Sequence, residues 1–134
     1  MQFKISTKGF TDIIDITERV SEIVKNSKVK DGICLISSPG STCGITTIEY
    51  ESGMIKDLKR TLEKIAPMNK DYEHCKKWGD CNGYAHVRSA LIKPFLAVLI
   101  EGGRLVLGQW QQIAFLDFDN RSREREVLVK IISS

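Results

Sequence analysis

The chain has 134 residues, 42% of them hydrophobic and 28% charged, and a formal net charge of +3. That length suits one domain, residues 1–134, with chain enough to bury a core. The small charge gives no reason to expect nucleic acid. No apolar run reaches membrane-spanning length, and MQFKISTKGF lacks a signal-peptide stretch, so a cytoplasmic protein with no membrane partner is expected.

Residues 2–8 alternate, with Phe3 and Ile5 set against Gln2, Lys4 and Ser6, and predict a strand that Gly9 breaks or bulges. A second strand-like piece follows at 11–16. Thr17 is the expected N-cap of a helix from 18 to about 27, with Val20, Ile23 and Val24 as its buried stripe. Lys25 and Lys28 suit the negative pole of that helix. Asp31-Gly32 is a turn signal, and ICLISS at 33–38 reads as a buried strand. After the break SPGS at 38–41, TCGITTIEY at 42–50 is β-branched and strand-like. The period of two puts Glu49 and Glu51 on one face of it.

Residues 54–65 predict the clearest helix, with Met54, Ile55, Leu58, Leu62 and Ile65 at helical spacing and Pro67 ending it. The loop at 67–80 is long for a compact domain and carries His74. It runs into WGDCNGYAHVRSALIK at 78–93. On a helix at about 100° per residue, Asn82, His86, Ser89 and Lys93 share one face, and Tyr84, Val87, Ala90 and Leu91 fall opposite. Asp80 or Asn82 is the expected N-cap. Taken alone, this stretch favours a capped helix with a satisfied surface histidine.

FLAVLIE at 95–101 reads as a buried strand, Gly102-Gly103 as a hairpin turn, and RLVLG at 104–108 as the return. WQQIAFLDFD at 110–119 predicts a longer strand with large apolar residues on both faces. VLVKII at 127–132 has the same two-sided character. Such strands need cover on both sides, from helices, a second sheet or another subunit. The pattern is α+β, with mixed, mostly antiparallel sheets and two or three helices.

Cys34 and Cys43 sit in apolar text, as small hydrophobes do. Cys75 and Cys81 do not match a CxxC motif, and in a cytosolic protein both are expected to be reduced. Their spacing also disfavours a zinc site with His74. Arg121, Arg123 and Arg125 alternate, with Glu124 and Glu126 interleaved, and read as a solvated charge run. Asp117 and Asp119 are expected to end a strand and bind the arginines that follow, rather than to hold Mg²⁺.

Five pieces then form a set: GSTCGITTIEYE at 40–51, YEH at 72–74, GDCNGYAHVR at 79–88, GGRLVLGQWQQIAFLDFDNRSRER at 102–125, and a closing VLVKI. Together they resemble the YjbQ family, also called UPF0047, from about residue 3 to residue 132. Its members are described as secondary thiamine-phosphate synthases. The resemblance implies an α+β fold assembled as a homotrimer, with a polar site near the subunit boundaries. On the family motifs, His74 matches the histidine after the mid-chain tyrosine. Asn82 and His86 match the NxxxH pair, and Glu49 matches the glutamate after the Thr-rich strand. Arg104, Trp110 and Gln111 match the GRLxLGxWQ text. The chain departs from the pattern at Gly40, where relatives carry a histidine, at Gln109 in place of a threonine, and at Lys93 in place of a glycine.

Imidazole and carboxylate donors suit Zn²⁺ or another divalent ion, so His74, His86 and Glu49 are candidate metal ligands. Without a metal the same residues, with Asn82, could act in acid–base catalysis near neutral pH. Arg88 and Arg104 are the expected phosphate ligands, helped by Ser41 and Thr42, with Trp110 and Gln111 in the substrate site. The resemblance implies a transferase that joins a pyrimidine carried on a diphosphate to a thiazole phosphate, with Mg²⁺ or the arginines stabilising the leaving diphosphate. The alternative is a non-catalytic trimer that binds a small anionic metabolite or a divalent metal.

Overall fold

A computed structural model describes residues 1–134. The strands are β1 (Gln2–Thr7), β2 (Asp12–Asp15), β3 (Gly32–Ser37), β4 (Cys43–Ile48), β5 (Phe95–Glu101), β6 (Arg104–Leu105), β7 (Gln112–Asp117) and β8 (Arg123–Ser133). The helices are α1 (Thr17–Ser27), α2 (Ser52–Ile65), α3 (Glu73–Trp78) and α4 (Gly83–Ile92). The fold is α+β as expected, with four helices rather than two or three. The extra one, α3, lies in the stretch read as a loop. No helix is long and apolar enough to cross a membrane.

Two sheets form, ordered β1-β8-β3-β5-β6 and β2-β7-β4, and every strand pair in them is antiparallel. β7 is central in the smaller sheet and is covered on both faces within one chain. Ile113 and Phe115 join Cys34, Ile36, Val98, Val127 and the α1 residues Val20 and Val24 in the larger core. Ala114 and Leu116 face the second core, with Leu62 of α2 and Tyr84 and Ala85 of α4. The layers are therefore sheet, sheet with α1, and helices.

The larger sheet does not have that double cover. β3, β5 and β8 alternate between buried and exposed residues, although their text is apolar throughout. Ile33, Leu99 and Ile132 lie side by side by register and are 41%, 55% and 54% exposed. The reading of β3, β5 and β8 as strands buried on both faces is therefore corrected for the single chain: their outward face is apolar and bare. The long strand predicted at 110–119 begins only at Gln112, because Gln111 folds back and accepts the Gly108 N–H on its Oε1 at 2.7 Å.

The caps also differ from expectation. Thr17 is the first residue of α1, and Ile16 holds the cap position. The Thr17 hydroxyl donates to Asp15 Oδ1 at 2.6 Å and accepts the Ile113 N–H at 2.7 Å, so it ties α1 to β7. Glu51 caps α2 through its carboxylate, which accepts the N–H groups of Gly53 and Met54. Asn82 holds the cap position of α4 without a side-chain capping bond. Its side chain is used elsewhere.

Candidate functional site

The site is built where α3, α4, the 38–42 turn and the 117–125 strand end meet. α4 starts at Gly83, where no side chain fits: a Cβ would lie 2.7 Å from Tyr72 Cβ and 3.3 Å from His74 Cβ. This close approach brings α3 onto the first turn of α4. His74 then stacks on His86, with ring centroids 4.4 Å apart and planes tilted by 35°. A disulfide joins Cys75 to Cys81, which corrects the expectation that both are reduced. The bridge closes a small loop with His74 at one flank and Asp80 at the other. His74 Nδ1 stands 3.5 Å from Asp80 Oδ1.

His86 lines a cleft of about 440 Å³ whose wall has no apolar residue. Gly40, Ser41 and Thr42 form one side, Asp80 and Asn82 another, and Asp119 to Arg125 the third. A second hollow of about 340 Å³ shares Gly40, Ser41 and His86, and adds Ser89 and Lys93. His86 thus stands on the divide between two adjoining spaces. Burial, then the neighbouring His74, hold its pKa below the ordinary histidine value against the pull of Asp119 and Asp80. The ring is therefore neutral at pH 7, with one nitrogen free to accept a proton.

A buried polar chain holds the far wall. Arg125 donates to Asp117 twice, Nε to Oδ2 at 2.8 Å and Nη2 to Oδ1 at 2.9 Å. Arg125 Nη2 also donates to Thr42 Oγ1 at 2.7 Å, and Thr42 donates to Asp119 Oδ2 at 3.1 Å. Asp119 accepts further bonds from Arg123 at 2.9 Å and from Asn82 Nδ2 at 3.1 Å. Burial pushes both carboxyls up, but these donors outweigh it and hold Asp117 and Asp119 below the usual range. An ionised Asp119 can only accept, so the Asn82 amide nitrogen must face it. The Asn82 oxygen is then left buried without a donor. Arg125 Nη1 lies 3.0 Å from where a Cβ on Gly40 would be. In this chain the guanidinium tip borders the space that a longer residue 40 would enter.

The expected site residues divide into three groups. His74, His86, Asn82, Ser41 and Thr42 gather at or beside this cleft. Glu49, Trp110 and Gln111 do not. Glu49 follows the last residue of β4 while Thr42 precedes its first, about 20 Å away along the strand. Gln111 Nε2 donates to Thr47 at that far end, and Trp110 is 65% exposed there. Arg88 and Arg104 stand apart from the cleft. Arg88 is 2% exposed, and its N–H groups go to Thr11, Ala66 and Glu63. Arg104 lies beside the end of α1.

Residues missed from the sequence are Asp80, Asp119, Asn120 and the three arginines at 121, 123 and 125. A signal for Arg125 was present: by the period of two it shares a face with Val127 and Val129, so it points inward. The run 121–125 is therefore not wholly solvated, with Arg125 5% exposed. The carboxylate beside His74 within one chain is Asp80, and His86 feels Asp119 and Asp80. No three His, Cys, Asp or Glu side chains group to hold a metal ion. The two imidazole rings lie 4.4 Å apart between centroids, tilted by 35°, so a metal held here would need donors beyond those that one chain groups together.

Comparison with known proteins places the chain in a family. A UPF0047 protein of Archaeoglobus fulgidus is 36% identical over 132 residues, covering 98% of this chain and 100% of that protein. A UPF0047 protein of Methanocaldococcus jannaschii is also 36% identical over 132 residues, covering 98% of this chain and 92% of its own. The crystal structure of a YbjQ-like protein of unknown function from Sulfolobus solfataricus P2 superposes with a TM-score of 0.94 at 29% identity, covering 100% of this chain and 96% of the other. That of an uncharacterised YjbQ/UPF0047 protein from Clostridium acetobutylicum gives 0.89 at 34% identity, covering 98% and 99%. The family model described as UPF0047 protein YjbQ-like matches residues 1–134, and the chain belongs to that family.

Proposed function

We propose that the cleft binds phosphorylated small molecules and that the neutral His86 ring donates an N–H hydrogen bond to the leaving diphosphate, in a reaction of the secondary thiamine-phosphate synthase type. In that reaction the bond from the pyrimidine methylene carbon to the diphosphate oxygen breaks. A carbon–nitrogen bond to the thiazole nitrogen forms, and diphosphate leaves. The observation that carries the reading is the position of the His86 imidazole on the divide between two adjoining polar spaces. Two reactants that must be joined need two such spaces. Arg121 and Arg123 would hold the leaving diphosphate, and Ser41 and Thr42 would add hydroxyls. Mg²⁺ would enter on the diphosphate, with Asp80 the cleft carboxylate nearest to hand outside the Asp117–Asp119 network.

The family likeness supports self-association as a homotrimer, and the bare apolar face of the larger sheet supports it physically. Residues Glu49, Trp110 and Gln111, remote from the cleft in one chain, could then serve a cleft of a neighbouring copy. A cytoplasmic location accords with phosphorylated metabolites as ligands.

The test is turnover by purified protein with the pyrimidine diphosphate, the thiazole phosphate and Mg²⁺. Thiamine phosphate should form, and His86→Ala should slow it by about 10²-fold, the scale for losing one hydrogen-bond donor to the charge that develops on the leaving group. A second reading, a non-catalytic binder of an anionic metabolite, draws on one observation: Arg123 and Arg125 are already matched by Asp119 and Asp117, which leaves Arg121 as the unpaired guanidinium of the cleft, enough to hold an anion but less than a departing diphosphate asks for. Saturable binding of the thiazole phosphate with no product at any enzyme concentration would select it.

A further inference from the structure

The chain carries a second concave surface, at the opposite end of α1 from the β7 contact. α1 ends at Lys28 in a left-handed conformation (φ 61°), and the chain turns back towards β3. The β5–β6 turn docks against that reversal, with the Gly103 N–H donating to the Lys30 carbonyl at 2.9 Å. Between them lies a cavity of about 520 Å³. That volume falls within the range of small-molecule sites.

Four cations from three segments line it: Lys25 and Lys28 from the helix end, Lys30 from the reversal, and Arg104 from β6. No carboxylate is in its wall. None of the four makes an ion pair, although nine such pairs occur elsewhere in the chain. The floor is apolar, made by Val29, Leu105 and Leu107.

The ordinary explanation of lysines at a helix C-terminus is that they offset the partial negative charge there. That accounts for Lys25 and Lys28. It does not account for Lys30 and Arg104, which come from other segments and face the same space. Glu101 lies opposite Arg104 in the hairpin register but forms no ion pair with it, so four like charges on one wall favour a ligand that supplies negative charge. The apolar floor adds a preference for an organic portion. We propose that this cavity binds a di- or triphosphate ester of the nucleotide class, its phosphates on the four cations and its organic part on Leu105 and Leu107. The proposal does not rest on the reading of the histidine cleft.

The test is calorimetric titration of the full chain with ADP and with inorganic diphosphate. Measured in Arg121→Ala, so that the histidine cleft does not contribute, ADP should bind this cavity with one equivalent per chain, more tightly than inorganic diphosphate, and more weakly as salt rises. Lys28→Glu with Lys30→Glu should weaken ADP by about ten-fold or more, since two attractive charges become repulsive. Arg104→Gln should weaken it in the same direction. Lys59→Glu, on the exposed side of α2, should leave it unchanged. Circular dichroism checks that each variant is folded. The proposal is overturned by absence of saturable ADP binding, by equal affinity for inorganic diphosphate, or by charge reversal without effect. A short single-stranded RNA displacing ADP at lower concentration would equally overturn it, making the patch a nucleic-acid surface.

Discussion

Arg125 and Asp117 meet as a two-bond fork in the interior, Nε to Oδ2 at 2.8 Å and Nη2 to Oδ1 at 2.9 Å, with residue exposures of 5% and 0%. The pair spans the two sheets, β8 on one side and β7 on the other, at the edge of the larger core. Its ordering role reaches the cleft directly, because Arg125 also fixes Thr42.

Asp117→Asn should therefore cost about 3–5 kcal/mol, the scale for leaving one partner of a buried pair unmatched. The folded-state pKa of Asp117 lies below its unfolded value: burial raises it, and the bonds from Arg125, Thr7 and the Asp119 N–H lower it further. The stability it contributes is then present above about pH 4 and lost as pH falls through the folded value. Urea melts at pH 7 and at pH 3 check both points. The variant should be much weaker than the parent at pH 7, and the gap should narrow at pH 3.

His86 predicts linkage of the same sign in a higher pH window. Its folded value lies below the unfolded one, by burial first and His74 second. Protonation therefore favours the unfolded chain, and stability should fall as pH drops through about 6.5. Removing one cause should be visible by itself. In His74→Ala the NMR titration midpoint of His86 should move up towards the ordinary histidine range. An unmoved midpoint would mean that the rings do not sense each other.

Arg88 offers a sharp contrast between a structural and a ligand-binding arginine. It donates to Thr11 Oγ1 at 2.8 Å, to Ala66 O at 2.9 and 3.1 Å, and to Glu63 Oε2 at 2.8 Å. Arg88→Ala should lower stability by about 3–5 kcal/mol while the folded fraction binds a cleft ligand normally. Glu63→Gln should cost at most about 1 kcal/mol, since Glu63 is half-exposed. Arg123→Ala should do the reverse of Arg88→Ala, weakening phosphate binding by about ten-fold with a smaller loss of stability. Denaturant melts alongside phosphate titrations separate the two.

The place of Arg88 was readable before any coordinates. It lies two residues after His86, about 200° round the helix, and such residues do not share a face. Its nearness in text to a histidine was a poor guide to nearness in space. The pairing of His74 with His86 was carried by family motifs, because no local pattern links a helix to a residue twelve positions upstream. Glu49 belonged to the same set of motifs, yet one chain holds it at the wrong end of β4. The apolar runs of β3, β5 and β8 showed strands but not burial. A face that is covered only by another copy reads the same as a face buried within the chain.

That bare face makes its own prediction. Leu99 and Ile132 lie on either side of Ile33 in register, all exposed. If copies of the chain cover this face, the parent protein should sediment as a trimer. Leu99→Asp with Ile132→Asp should then sediment as a monomer, since charges placed in an apolar interface are not compensated. A parent protein that sediments as a monomer, or a variant that stays trimeric, moves the interface away from this sheet.

Lys93 shows strain placed beside the same cleft. Its φ is 78° and its ψ 137°, a backbone state that L residues rarely adopt. It is held there from both sides: its N–H donates to Ser89 O at 2.8 Å, closing α4, and its carbonyl accepts the Ile45 N–H at 2.9 Å, tying the helix end to β4. Pro94 next in sequence further disfavours a helical backbone at Lys93. Glycine would relieve the strain at the cost of a more flexible unfolded chain, so Lys93→Gly should stabilise by about 1 kcal/mol and raise Tm by a few degrees. The lysine must then have a compensating use, and its side chain lines the hollow that His86 also borders. Lys93→Gly should accordingly weaken an anionic ligand there while making the protein more stable. Lys93→Gln separates the two effects. It keeps the strain and removes the charge, so it should lose the same affinity with no gain in Tm. If Lys93→Gln binds as the parent does, the amine has no part in the site.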